Sequence, residues 1–360
     1  MPKLDGNEAK YAADAVESGW ISSAGEYVGR FEQAFADRTG VPYAATCSNG
    51  TVALHLALLA LGIGPGDEVI VPTLTYVATA NAVVYCGATP VFVDSESDTM
   101  NLDPAAVARS ITTKTKAVIA VHLYGHPADM DALHEICEPK GIRVVEDAAE
   151  ALGAEIGGRV VGSIGAIATF SFFGNKIITT GEGGMVTTAD PELDAAVRLY
   201  KGQGQDPKRR YWFPVVGYNY RMTNVAAAIG VGQMESFDQH VRDRQWVSDH
   251  YDRLFASLVD HLQLPVSRPG FTNVRWLYTV VLGDGIGPSR DEVMQRLADD
   301  GIESRPVFYP MHHMPPYRNA ALHAPVAERL SANGISLPTH GHLSLEDLEY
   351  VTERFRAAIA

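Results

Sequence analysis

The chain is short of cysteine, short of positive charge and without a long apolar run. Its three cysteines, Cys47, Cys86 and Cys137, are odd in number, far apart and set in apolar stretches. That pattern excludes a disulfide framework and fits reduced core thiols, so the expected location is the cytoplasm. No segment approaches the roughly 18 apolar residues a membrane-spanning helix needs, and the opening MPKLDGNEAK has no apolar signal core. Lys and Arg total 29 against 43 Asp and Glu, a net charge of −14. Such a surface repels phosphate backbones and anionic lipid, so neither a nucleic acid nor a membrane is an expected partner. A local basic pocket for a small anion remains compatible with it.

Several chemical motifs are absent too. No lysine followed by Ser or Thr closes a glycine run as in a P-loop, and there is no G-x-S-x-G elbow. GIGPG (62–66) follows a helical segment rather than a strand, so it reads as a helix C-cap and turn. The histidine pairs 122/126, 312/313 and 340/342 lack a helical spacing with a nearby carboxylate, and no metal site is expected.

What is present is length and alternation. A chain of 360 residues suits two lobes, each able to bury a core. From residue 40 to about 200, β-branched runs alternate with helical patterns. VPYAATCSN (41–49), DEVIVP (67–72), TPVFVD (89–94), TKAVIAVHLYG (115–125) and IRVVEDAAE (142–150) read as strands. TVALHLALLALG (51–62), residues 76–87, a segment opening at Asp103-Pro104 and residues 130–139 read as helices. The strands are continuously apolar, which predicts a mostly parallel α/β sheet covered on both faces. Ligands on such sheets sit at the carboxyl ends of the strands. From about 236 a long amphipathic helix leads into a smaller α+β region that ends in a helix at 345–359. The expected organisation is an N-terminal arm (1–30) over the site, a large α/β domain (31–235) and a small C-terminal α+β domain (236–360).

Two strand-end residues raise a chemical question. Asp147 closes IRVVED, and Lys176 stands in SFFGNKIITTGEGG among aromatic and glycine neighbours. A buried carboxylate is costly unless something positive pairs with it. One reading is therefore a plain Lys–Asp ion pair. The other is catalytic: a desolvated lysine amine tends toward its neutral, nucleophilic form and can form a Schiff base. Pyridoxal 5'-phosphate (PLP) needs both groups, a lysine at its aldehyde and a carboxylate at its pyridine nitrogen. Gly50 and Thr51, at the start of a helix, and Ser171 are then candidates for its phosphate. Tyr76 and Ala149 are candidates for the two faces of its ring.

These residues stand in a longer series: WISSAG, CSNGT, GIGPGDEVIVPTLTYVATAN, CGATPVFVD, VHLYGHPADMD, VEDAAEALGA, SFFGNKIITTGEGGMV, GYNYRMTN and SRPVFYPMH. In that order they resemble the nucleotide-sugar aminotransferases of the DegT family, PLP enzymes of fold type I, over essentially the whole chain. The resemblance implies a mostly parallel seven-stranded-type sheet and a homodimer with shared active sites. It implies Lys176 as the Schiff-base lysine and Asp147 as the pyridinium partner. Tyr76 and Ala149 would sandwich the ring, while Gly50, Thr51 and Ser171 would hold the phosphate. Asn219 would reach the cofactor of the neighbouring subunit, and Glu150 would lie near the ring hydroxyl. A dehydratase branch of the family carries histidine in place of the lysine, so Lys176 points to transamination. The implied donor is L-glutamate, and the implied acceptor is a nucleotide-linked 4-keto-6-deoxysugar, GDP-4-keto-6-deoxymannose first. A dTDP- or UDP-linked sugar aminated at position 3 or 4 is the alternative, and a PLP-binding regulator without turnover is another. Trp20, Ser22, Ser23, His312 and His313 are candidate sugar contacts, with ordinary lid or turn packing as the competing reading. Lys208 and Arg209, in KGQGQDPKRR, are candidates for the diphosphate or members of a solvated loop.

Overall fold

The computed structural model describes residues 2–360, and its framework is a seven-stranded sheet. The strands are β1 (Tyr43–Cys47), β2 (Glu68–Pro72), β3 (Thr89–Val93), β4 (Thr115–Val121), β5 (Arg143–Asp147), β6 (Ile167–Ser171) and β7 (Gly184–Thr188). Their order across the sheet is β1-β7-β6-β5-β4-β2-β3. The pairs from β3 to β6 are parallel, whereas β7 runs antiparallel to both β6 and β1. The continuous apolar runs explain the burial: β2, β4, β5 and β6 are covered on both faces, and Ile70, Val118, Ile119 and Val145 are fully buried.

The helix Gly50–Ala60 after β1 is buried almost all round, as its unbroken apolar sequence requires. The helix Glu26–Thr39 brings Phe31 and Phe35 against Phe170 and Phe172, with ring centroids 4.8–5.5 Å apart across that contact. The helix Asn224–Glu235 packs on helices Glu8–Glu17 and Glu26–Thr39. Asn224 ties the intervening segment down: its side chain donates to the Trp20 carbonyl (2.7 Å) and accepts from Tyr27 N–H (2.9 Å). Within its own chain, then, residues 2–30 pack on this helix, and none of them lines the strand-end cavity.

A second, antiparallel sheet joins β8 (Leu262–Gln263), β9 (Tyr278–Leu282), β10 (Arg305–Pro306) and β11 (Gly334–Leu337) in the order β8-β9-β11-β10. Helices Phe237–Phe255, Arg290–Asp299 and Leu345–Ile359 close a separate core on it, centred on Tyr251, Phe255, Tyr278, Leu348 and Phe355. Among the described residues no helix is long and apolar enough to cross a membrane.

Two strand ends come several residues earlier than in the sequence reading, and 142–150 leaves the sheet after Asp147. The run 115–125 leaves the sheet after Val121, and Tyr124 adopts φ +54°. Two side chains stabilise the turn: Asn101 accepts the Leu123 N–H (2.9 Å) and Glu150 accepts that of Tyr124 (2.9 Å).

Candidate active site

The carboxyl ends of β1, β2, β4, β5 and β6 open onto a cavity of about 620 Å³, closed on its far side by residues from the second sheet. Gly50, Thr51, Tyr76, Asp147, Ala149, Glu150, Ser171 and Lys176 all line it. They come together because each follows a strand in a parallel sheet, where every strand delivers its end to the same edge.

Asp147 is 95% buried, with a relative exposure of 5%. It accepts from Thr79 Oγ1 (2.9 Å) and from Ala149 N–H (3.3 Å). Burial pushes its carboxyl above the ordinary aspartate value, against those two hydrogen bonds and the Lys176 charge. A buried carboxylate with this little compensation, facing a cavity, is a fitting partner for a cation bound there.

Lys176 Nζ lies 3.6 Å from Glu150 Oε1 and 3.7 Å from the centroid of the Trp276 ring. Its nearest carboxylate is therefore Glu150, not Asp147, and the simple Lys176–Asp147 ion pair is not what forms. Burial pulls the lysine below its usual range, opposed by Glu150 and Asp147. Burial likewise raises Glu150, opposed by Lys176 and by the Tyr124 N–H. Both shifts favour a neutral amine, the state a nucleophile needs.

The helix Gly50–Ala60 points its N-terminus into the cavity. The Asn49 side chain takes the Val52 N–H (3.0 Å), and its carbonyl takes the Ala53 N–H (3.1 Å). The Gly50 and Thr51 N–H groups remain for an anion. A Cβ on Gly50 would stand 2.8 Å from Ser171 Cβ, so the cradle closes around hydrogen only. Buried carboxylate, desolvated amine and anion cradle match the pyridinium, aldehyde and phosphate of PLP, and the residues present fit that group.

The remaining candidates lie elsewhere. Trp20 is exposed, Ser22 gives its carbonyl to Asn224 N–H (2.7 Å), and Ser23 sits beside it in the same segment. None of the three lines the cavity. Asn219 is exposed, 3.4 Å from Arg221. Lys208 and Arg209 are in an exposed loop, where the Arg209 guanidinium stacks on Trp212 at 4.1 Å. His312 is buried, with Nδ1 on Thr73 Oγ1 (2.7 Å) and Nε2 on Glu328 (3.2 Å). His313 is exposed, and its Nε2 is 4.0 Å from the same carboxylate. These three side chains cluster closely, but the His312 ring is already engaged at both nitrogens.

Among the residues around Asp147 and Lys176 that sequence reasoning missed are Thr79, Tyr124, Arg244 and Trp276. Thr79 had a legible signal, since it lies one helical turn beyond Thr75 in the strand-end segment TLTYVAT. Arg244 is buried without a carboxylate partner. It donates to the carbonyls of Trp276 (2.9 Å), Thr339 (2.8 Å) and Lys176 (3.3 Å). Burial lowers its guanidinium to about 10.

Comparison with known proteins agrees with this geometry. The family model described as the DegT/DnrJ/EryC1/StrS aminotransferase family matches residues 2–356. The chain is 53% identical to the GDP-perosamine synthase of Caulobacter vibrioides, over 97% of this chain and 95% of that one. It is 48% identical to the GDP-perosamine synthase of Escherichia coli O157:H7, over 98% and 96%. A Streptococcus pneumoniae structure described as a sugar aminotransferase in PLP form superposes with a TM-score of 0.92 at 30% identity, covering 99% of this chain and 98% of that one.

Proposed function

The chain belongs to the DegT/DnrJ/EryC1/StrS aminotransferase family, and we propose that it uses PLP to move an amino group from L-glutamate to GDP-4-keto-6-deoxymannose, giving GDP-perosamine. The observation that carries the chemistry is a desolvated lysine amine and a buried carboxylate facing one cavity beside an anion cradle. The choice of sugar rests on the 53% and 48% identity, over nearly full length, to proteins named for that product.

When bound, PLP supplies an electron sink that makes the carbon bearing the amino group acidic. The chain's own residues do the rest. Asp147 would keep its negative charge against the ring nitrogen and so hold the sink open. Thr79 Oγ1, 2.9 Å away, fixes that carboxylate's orientation. Gly50, Thr51 and Ser171 would hold the phosphate, and Tyr76 and Ala149 would flank the ring. Lys176 Nζ, once free of the cofactor, would take the proton from the donor's α-carbon and return it to the carbon on the far side of the transferred nitrogen, two bonds away. In the second half-reaction it moves the proton the opposite way. Glu150 lies 3.6 Å from Lys176 Nζ, so it would bias where that proton rests.

In this reading residues 31–235 form the cofactor lobe, 236–360 the small lobe and 1–30 an arm. The functional unit is a homodimer. The exposed Asn219 and the exposed aromatic run Tyr211, Trp212, Phe213 support a contact with a second copy, at which Asn219, Trp20, Ser22 and Ser23 would serve the neighbour's site. Lys208 and Arg209 would supply positive charge for the diphosphate on an acidic protein, and of the histidine pair only the exposed His313 would be free to meet the sugar, because both ring nitrogens of the buried His312 are engaged. Three buried free thiols support a reducing, cytoplasmic setting.

The test is a visible spectrum of the full-length protein with PLP. Glutamate should bleach the band, and GDP-4-keto-6-deoxymannose should restore it. Bleaching with no recovery from this sugar, but recovery from a dTDP- or UDP-linked keto sugar, would overturn the substrate. A band that glutamate leaves unchanged would favour the regulator and overturn the aminotransferase reading.

A further inference from the structure

We propose that Trp276 is a positioning residue for Lys176: its ring face and the Glu150 carboxylate form the berth that the amine occupies whenever it is not joined to the cofactor. This rests on the reading of Lys176 as the cofactor-bearing lysine.

The geometry of the amine carries the inference. Among the described residues Lys176 Nζ has no acceptor at hydrogen-bond distance. Glu150 Oε1, at 3.6 Å, is well beyond the ~2.7–2.9 Å of a charge-assisted bond. The amine instead lies over the Trp276 ring, 3.7 Å from its centroid. An ammonium over an indole face is stabilised by the ring quadrupole, more so in a dry cavity. A berth of this kind suits a lysine that must leave and return, because a tight ion pair would hold it back.

The ring is held in place from several directions. Its Nε1 donates to the carbonyl of Asn175, the residue before Lys176, at 2.8 Å. Its own carbonyl accepts from Arg244 Nη1 at 2.9 Å, and Arg244 also reaches the Lys176 carbonyl at 3.3 Å. Tyr124 stacks behind it, with centroids 6.4 Å apart. The main chain is pressed against Gly125, where a Cβ would stand 2.7 Å from Arg275 N and 2.8 Å from Trp276 N. Arg275 itself takes φ +47°, a conformation that non-glycine residues enter only under constraint. Strain next to a ring locked to the lysine's own loop marks a built contact. The charged groups that face the amine are Glu150, Asp147 and the Arg244 guanidinium.

The experiment uses the full-length, cofactor-free chain and a small amine label, acetic anhydride, with mass spectrometry of the Lys176 peptide across pH. Tryptophan is replaced biosynthetically by mono-, di- and trifluorotryptophan, which keep the shape of the ring but weaken its negative face. Of the 4 tryptophans, Trp20, Trp212 and Trp246 are each more than 40% exposed. We expect the pH midpoint of labelling to fall stepwise with fluorination, by about 0.5–1 pH unit in total. In Trp276→Phe carrying fluorotryptophan elsewhere, the dependence should vanish. A midpoint that ignores fluorination, or a dependence that survives in Trp276→Phe, overturns the proposal and leaves Trp276 a packing residue. The readout needs no turnover. Failure of the aminotransferase reading would show separately, as a PLP band that glutamate cannot bleach.

Discussion

Asp147→Asn should make the cofactor-free protein more stable while removing its activity. Asp147 is buried at 5% exposure, and only Thr79 Oγ1 and Ala149 N–H reach its carboxylate at hydrogen-bond distance. An asparagine fits the same network. Its oxygen accepts from Ala149, and its NH₂ donates to Thr79 Oγ1, whose hydroxyl hydrogen then turns to Thr75 Oγ1, 3.1 Å away. The substitution removes an undercompensated buried charge without orphaning a donor. Replacing such charges by neutral groups gains roughly 1–3 kcal/mol. The pH dependence has a definite sign. Burial raises the folded carboxyl above its unfolded value of about 3.9, so the folded state holds the proton more tightly. The parent's stability contribution from this group is full below that pH and is lost as pH rises through the folded value. The advantage of Asp147→Asn should therefore be near zero at pH 4 and grow upward. Thermal melts of both cofactor-free proteins from pH 4 to 8 measure it. With PLP and substrates, turnover should fall on the order of 10²–10³-fold, because a neutral amide cannot hold the ring nitrogen's charge. If Asp147→Asn is less stable than the parent at every pH, or if the difference does not change with pH, the account of Asp147 as a strained, waiting carboxylate is wrong.

Other perturbations test separate parts of the site. Gly50→Ala places a Cβ 2.8 Å from Ser171 Cβ; overpacking of ~1–3 kcal/mol should weaken PLP binding about 10- to 100-fold in an absorbance titration. The melting temperature without cofactor should change little, since alanine gains helix propensity. Thr79→Val deletes the hydroxyl donor to Asp147 and should lower kcat roughly tenfold with the substrate KM nearly unchanged. Glu146→Gln should cost about 3–5 kcal/mol in urea unfolding, because the fully buried Glu146 accepts from the N–H groups of Gly162, Ile164 and Gly165 and pairs with His122 at 3.1 Å. Burial acts to raise Glu146, but His122 and the backbone donors outweigh it and hold the carboxyl low. Its stabilisation is thus present above about pH 4.3 and is lost as pH falls through the folded value, so the parent and Glu146→Gln should converge in acid.

The sheet and the cofactor half of the site were legible because they follow from local rules. Continuous apolar runs identified the parallel strands, and the parallel arrangement told which ends share an edge. Hence Lys176, Asp147, Ser171 and the Gly50–Thr51 pair could be named from the chain itself, whereas Glu150 entered only through the family resemblance. The strand β7 and its direction were not legible: only the pairing of Gly184–Thr188 with β1 and β6 makes it an antiparallel strand. Trp276 and Arg244 were not legible for a different reason. Each lies outside the large sheet and meets Lys176 only through the packing of the second sheet and its helices. RWLYTVVL marks a strand, but no periodicity says which cavity its first aromatic enters. His312 and His313 show the converse: a conspicuous pair in the sequence, of which the buried member is occupied by Thr73 and Glu328.

The central claim is that Lys176 is the residue that carries and then replaces the cofactor. Borohydride reduction of the full-length protein with PLP, followed by peptide mapping, tests it most directly. The account predicts one reduced cofactor adduct, on the peptide containing Lys176, and its disappearance when glutamate is added before reduction. An adduct on another lysine, such as the buried Lys201 that pairs with Glu32, or an adduct on Lys176 that glutamate does not prevent, would contradict it.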